Sequence, residues 1–104
     1  MIPRKPPRKR DRQQPDWPWE LPKFEDADVF AMQALGRREA NPGQQERVLA
    51  YILHHLCEVD RMTFWPGGEE GRRATDFAEG KRWVALMIRR FMKMRPDHRF
   101  RENP

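Results

Sequence analysis

The sequence predicts an all-α protein: a small helical hairpin with a short helix before it, preceded by an extended N-terminal arm of disordered character. Three observations lead there. Apolar residues recur at three- and four-residue spacing over 42–58 and 75–94. Helix punctuation brackets these stretches, with Gly36 as a stop and Asn41-Pro42 as a start. Strand-like alternation is confined to a few residues near Met62 to Trp65.

The first helix is expected from about Glu25 to Leu35. Glu25, Asp26 and Asp28 favour its positive N-terminal end, and Val29, Phe30, Ala34 and Leu35 form its buried side. The second is expected from Pro42 to about Glu58 with Asn41 as N-cap, its face made by Val48, Leu49, Ile52, Leu53, Leu56 and Val59. Phe64, Trp65, Pro66, Gly67, Gly68 and Gly71 then break the periodicity and make a loop with a hydrophobic anchor. The third helix runs from an N-cap at Thr75 to Met94, with Glu69 and Glu70 able to open an extra turn.

This third helix is apolar over more than half its circumference, interrupted only by Lys81. An ordinary surface helix buries a stripe of roughly 100°. The excess needs a second surface to cover it, another copy or another protein. The side from Phe77 through Val84 to Ile88 is expected to close on the second helix. Trp83, Met87, Phe91 and Met94 are left for docking, and Arg82, Arg89, Lys93, Glu79 and Arg90 share the remaining side with Leu86.

Charge is as unevenly spread as hydrophobicity. Arg4, Lys5, Arg8, Lys9, Arg10 and Arg12 stand against a single anion, Asp11, and so account for the whole net charge of +5. The rest of the chain is balanced. Six of the ten prolines fall within residues 1–23, so that segment reads as an arm. Residues 24–94 form the helical domain and 95–104 a C-terminal tail. The six cations suit non-specific nucleic acid or an acidic protein surface. In the extended Asp16 to Pro22 segment, Trp17, Trp19 and Leu21 alternate, which places all three on one side as anchors for a partner groove or for the protein's own body.

Little points to catalysis. The chain has no serine, and Thr63 and Thr75 stand where local backbone bonds explain them. Glu69, Glu70, Asp76 and Glu79 have no nucleophile pattern beside them, and the expectation is a non-enzymatic protein with no cofactor. His54, His55 and Cys57 cluster on the second helix, but zinc takes three or four ligands and His98 is the only further His or Cys, so no metal is expected. Pro66-Gly67-Gly68 lacks the spacing of a phosphate loop. The lone Cys57 excludes an intrachain disulfide, and no apolar run approaches the ~18 residues of a membrane span. A soluble protein of a cytosol is expected, with no membrane partner.

The pattern Thr75-x-Phe77-x-Glu79-Gly80-x-Arg82-x-Val84-x-Leu86-x-Ile88 resembles the C-terminal motif of a family of short tailed-bacteriophage proteins encoded near the head and tail structural genes. Upstream, a short helix ending near Gly36-Arg37-Arg38, a helix around Arg47 to Cys57, and Phe64 before a glycine and proline loop are similar too. The resemblance spans about residues 28 to 94. It implies a virion structural or assembly protein, put together in the host cytoplasm and docked on capsid, portal or tail components. It carries over no catalytic residue. Homo-oligomerisation is the other association expected, and the alternative reading is a small nucleic-acid-binding protein that uses the basic arm. On the docking reading, removal of Trp17 and Trp19 is expected to weaken incorporation without unfolding the body.

Overall fold

The computed structural model describes residues 17–96. Among these the protein is all-α, with three helices and no strand. The cations at Arg4, Lys5, Arg8, Lys9, Arg10 and Arg12 lie outside the described residues, as do His98 and Phe100 of the tail.

α1, Asp26–Gly36, starts where Asp28 Oδ2 accepts a bond from the Glu25 N–H at 2.8 Å, which satisfies one of the donors a helix start leaves free. It packs on α2, Pro42–Tyr51, whose Asn41 cap is reciprocal: Gln44 N–H donates to Asn41 Oδ1 at 2.7 Å and Asn41 N–H to Gln44 Oε1 at 3.0 Å. Arg47 clamps the pair, with Nε 2.7 Å from Asp28 Oδ1 and Nη2 2.8 Å from Glu25 Oε1. The Tyr51 hydroxyl donates to the Lys23 carbonyl at 3.2 Å. The buried side of α1 is Ala31 and Ala34; Phe30 and Leu35, expected inside, are 62% and 43% exposed. Small residues let α1 lie close to α2, and that turns its bulky residues outward.

α2 does not run on as an α-helix to Glu58. It widens into a π-helical turn, Ile52–Leu56, in which Cys57 N–H reaches back to the Ile52 carbonyl at 2.9 Å and Val59 N–H to Leu53 at 2.9 Å. Glu58 closes this end at φ 50°, in the left-handed region that usually calls for glycine.

α3, Gly68–Lys93, begins about two turns before the expected start. Gly67 at φ 114° turns the chain, Glu69 and Glu70 fill the first turn, and Thr75 lies inside the helix and does not cap it. The Thr75 hydroxyl oxygen accepts from Trp65 N–H at 2.8 Å and lies 2.9 Å from the Gly71 carbonyl, tying loop to helix. The inward face of α3 is Gly71, Ala74, Ala78 and Ala85. Phe77 and Val84, expected to close on the second helix, are 46% and 44% exposed, whereas Ile88 does pack inward, together with Leu86 from the supposed polar side. The reason is steric. A face of alanines brings the helix backbone close to the body and leaves larger side chains at its flanks.

Two small cores result. Leu53, Cys57, Val59 and Ala85 form one, flanked by Leu49, Ile52, Leu86 and Ile88. Trp17, Trp65, Ala74 and Ala78 form the other. The Trp segment therefore belongs to the folded body. It is a turn, closed by Glu20 N–H to the Trp17 carbonyl at 3.1 Å, and so departs from the expected extended strip. Trp17 stacks between Trp19 (5.3 Å, 2°) and Trp65 (5.4 Å, 18°), and only 7% of it is exposed.

Candidate docking surface on the third helix

Because α3 spends its small residues on the body, its outward side carries the large ones. Trp83 is 60% and Phe91 70% exposed, with Met87 and Met94 half-buried on the same stripe and Val84 beside it. Spacings of three and four residues keep Trp83, Met87, Phe91 and Met94 in line over about three turns. Four of the seven docking residues read from the sequence thus share one surface. Trp17 does not join them, since its ring is covered in cis. Leu21, 73% exposed, lies elsewhere, on the edge of an apolar groove of about 370 Å³ floored by Val29, Met32, Tyr51 and Leu56. Trp19 lines a neighbouring hollow of about 450 Å³ with Leu21, Leu56 and Phe77, and meets Phe77 edge-on at 5.8 Å.

The charges of α3 divide in a way the sequence did not disclose. Arg82 Nε donates to the Val59 carbonyl at 2.9 Å, and Arg89 Nη2 lies 3.3 Å from Asp60 Oδ2. Arg73 sits over the Trp19 ring, 6.0 Å from its centre. These are ties within the body. Arg90 and Lys93 are exposed, with no ion pair among the described residues. At the other end of the stripe Asp76 is exposed, and Glu79 Oε2 accepts from the Thr63 hydroxyl at 2.5 Å.

Lys81, the one charge within the apolar arc, anchors the most buried polar cluster. Its Nζ donates to the Pro18 carbonyl at 2.6 Å and lies 3.0 Å from Glu58 Oε1, while Arg61 Nη1 lies 2.8 Å from Glu58 Oε2. Sequence reading singled out neither Glu58 nor Arg61. The available signal was Lys81 itself, because a lone cation on an apolar face needs an anion to meet it.

Several other titratable groups are engaged within the fold. Burial pushes the Cys57 thiol up, only partly offset by the nearby Lys81 charge. The Tyr51 hydroxyl is also raised by burial and by Asp28. Bonding to the Glu25 backbone, then to Arg47, holds the Asp28 carboxyl below its ordinary range, and the same bond raises Arg47. His54 Nδ1 lies 3.5 Å from Asp60 Oδ2, and His55 stacks on Tyr51 at 5.0 Å, so both histidines of the pair are engaged locally. Among the described residues no three of His, Cys, Asp or Glu converge on a metal position, and no helix is long and apolar enough to cross a membrane.

No protein family, curated protein or solved structure matches the chain.

Proposed function

We propose that the protein is a non-enzymatic virion structural or assembly subunit of a tailed bacteriophage, working by docking on larger head, portal or tail components. The observation that supports docking is the outward stripe of α3, where Trp83 and Phe91 expose most of their surface on one line of a well-anchored helix. Lys81, Arg82 and Arg89 fix that helix to the body, so its contact face is held ready and little ordering accompanies association. The phage setting rests on the Thr75 to Ile88 pattern and on nothing in the geometry. Trp19 and Leu21 form a second apolar edge for the same work.

Fractionation of particles with mass spectrometry tests the reading. The parent chain is expected in assembled particles or their precursors, and Trp83→Ser with Phe91→Ser is expected to be depleted from them. Absence of the parent from both overturns the virion role, and undiminished incorporation of the double variant overturns the use of α3.

A second reading is favoured by one observation, the placement of the entire net charge in residues 1–12. It makes the arm a non-specific nucleic-acid contact. Affinity for duplex DNA is then expected to fall steeply with salt and to vanish when residues 1–12 are deleted. Unchanged affinity after that deletion dismisses it.

A further inference from the structure

We propose that the outward stripe of α3 is closed by the same stripe of a second copy of this chain, packed antiparallel about a two-fold axis between Val84 and Met87. The inference rests on the reading of α3 as a contact face and names what covers it.

Charge sets the partner and the direction. Along the stripe the acidic groups, Asp76 and Glu79, lie on the N-terminal side of the apolar residues, and Arg90, which has no ion pair among the described residues, flanks it on the C-terminal side. A parallel second copy sets like charge beside like. An antiparallel copy brings Arg90 alongside the Glu79 turn of the other, and it also opposes the two helix dipoles. Arg73 is taken up over Trp19, and Arg72 falls beyond the overlap.

Gly80 supplies the shape. A β-carbon there would meet nothing within 4 Å, so no contact inside the chain calls for glycine, although it costs about 1 kcal/mol relative to alanine in a helix. It lies on the stripe one turn before Trp83. In the antiparallel pair Phe91 of each copy lies over the Gly80 to Trp83 turn of the other, where the missing side chain leaves room for a ring.

Area sets the strength. Trp83 and Phe91 are 60% and 70% exposed, and at about 200 Å² per ring the four rings of a pair supply roughly half of the ~1,000 Å² a specific interface needs. Val84, Met87, Met94 and the charged rim supply the remainder. The dimer is therefore weak and concentration-dependent.

Sedimentation equilibrium of the full chain up to about 100 µM is expected to show a monomer–dimer exchange. Met87→Glu and, separately, the exposed Phe91→Glu are each expected to abolish it with helix content unchanged; the second keeps the test valid if the first fails to fold. A cysteine introduced by Met87→Cys, near the axis, is expected to cross-link copy to copy through a short bifunctional maleimide. One introduced by Glu69→Cys, at the far ends of the antiparallel pair, is not. A chain monomeric throughout overturns the proposal, as does a dimer indifferent to both Glu substitutions or cross-linked equally at both positions. If the chain is monomeric while Trp83→Ser with Phe91→Ser is still lost from particles, the α3 contact stands and only the second copy falls. If incorporation is also untouched, both fall.

Discussion

Lys81 Nζ lies 3.0 Å from Glu58 Oε1, and through that one contact α3 is joined to the left-handed residue that ends the π-helical turn. Both side chains are largely out of water, 15% and 7% exposed. Lys81 also donates to the Pro18 carbonyl, so the pair fastens three segments distant in sequence. Burying two charges gains little over a well-packed apolar pair, but removing one partner strands the other. Lys81→Met is therefore expected to cost about 2 kcal/mol or more, with Arg61 left as the partner of Glu58. Lys81→Met combined with Glu58→Gln is expected to cost clearly less than the two single changes added. Urea unfolding followed by tryptophan fluorescence gives the cycle, and strict additivity would show that the pair is not coupled.

Trp17 separates a structural role from a docking one. Its ring lies between Trp19 and Trp65 with 7% exposed. Trp17→Ala is expected to cost about 3–5 kcal/mol, the range for truncating a buried large aromatic. Trp19→Ala, from a ring 40% exposed, should cost much less. Equilibrium denaturation of the two variants compares them. Equal, small losses would return Trp17 to the role of a free anchor.

Legibility divided along a physical line. Local signals placed α1 and the start of α2 to within a residue, because Asn41-Pro42 and the acidic run from Glu25 to Asp28 act on the adjacent backbone alone. The start of α3 was placed late, since Thr75 has the chemistry of a cap and only the tertiary contact with Trp65 shows where its hydroxyl goes. Which face turns inward was the harder question. Hydrophobicity points Phe77 and Val84 to the core, but backbone proximity selected Ala74, Ala78 and Ala85, and a sequence pattern does not price closeness of approach. That same choice left Trp83 and Phe91 outward, with Met87 and Met94 half-buried on the same stripe. For the Trp segment the pattern left a partner groove and the protein's own body both open; the structure packs Trp17 on the body, and the extended strip is replaced by a turn over residues 17–20, because alternation fixes a side only for an extended chain.

Two glycines of α3 should respond oppositely to one methyl group. At Gly71 a β-carbon would lie 2.5 Å from the Pro66 carbonyl oxygen, and backbone there has no free end to swing aside. Gly71→Ala is expected to destabilise by about 1–3 kcal/mol despite better helix propensity. Gly80→Ala meets open space and is expected to stabilise the monomer by about 0.5–1 kcal/mol. Thermal unfolding at a concentration below dimer formation reads both. A stabilised Gly71→Ala chain would mean that α3 does not press on the loop.

Burial also shields Cys57 chemically. Loss of hydration raises its thiol, and the side chain lies in the core with Leu53, Val59 and Ala85. A thiol-reactive dye near pH 8 is expected to label it at the rate of unfolding, and Lys81→Met is expected to speed labelling. Rapid, complete labelling of the native parent would place Cys57 at the surface.

Acid should release α1 through Asp28. Its carboxyl is held below the ordinary range, first by the Glu25 N–H and then by Arg47. A depressed carboxylate contributes stability fully above its unfolded value of about 4, and that contribution is lost as pH falls through the lower folded value. The window is therefore below about pH 4, where protonation removes the charge that strengthens both the bond from the Glu25 N–H and the pair with Arg47 Nε. Asp28→Asn, which keeps one acceptor oxygen but loses the charge and the second acceptor, is expected to lower stability at neutral pH by about 1 kcal/mol and to flatten the dependence below pH 4. Amide exchange resolved along Asp26–Gly36, compared between parent and variant from pH 6 to 3, measures it, and an unaltered acid limb in the variant would assign the loss to other carboxylates.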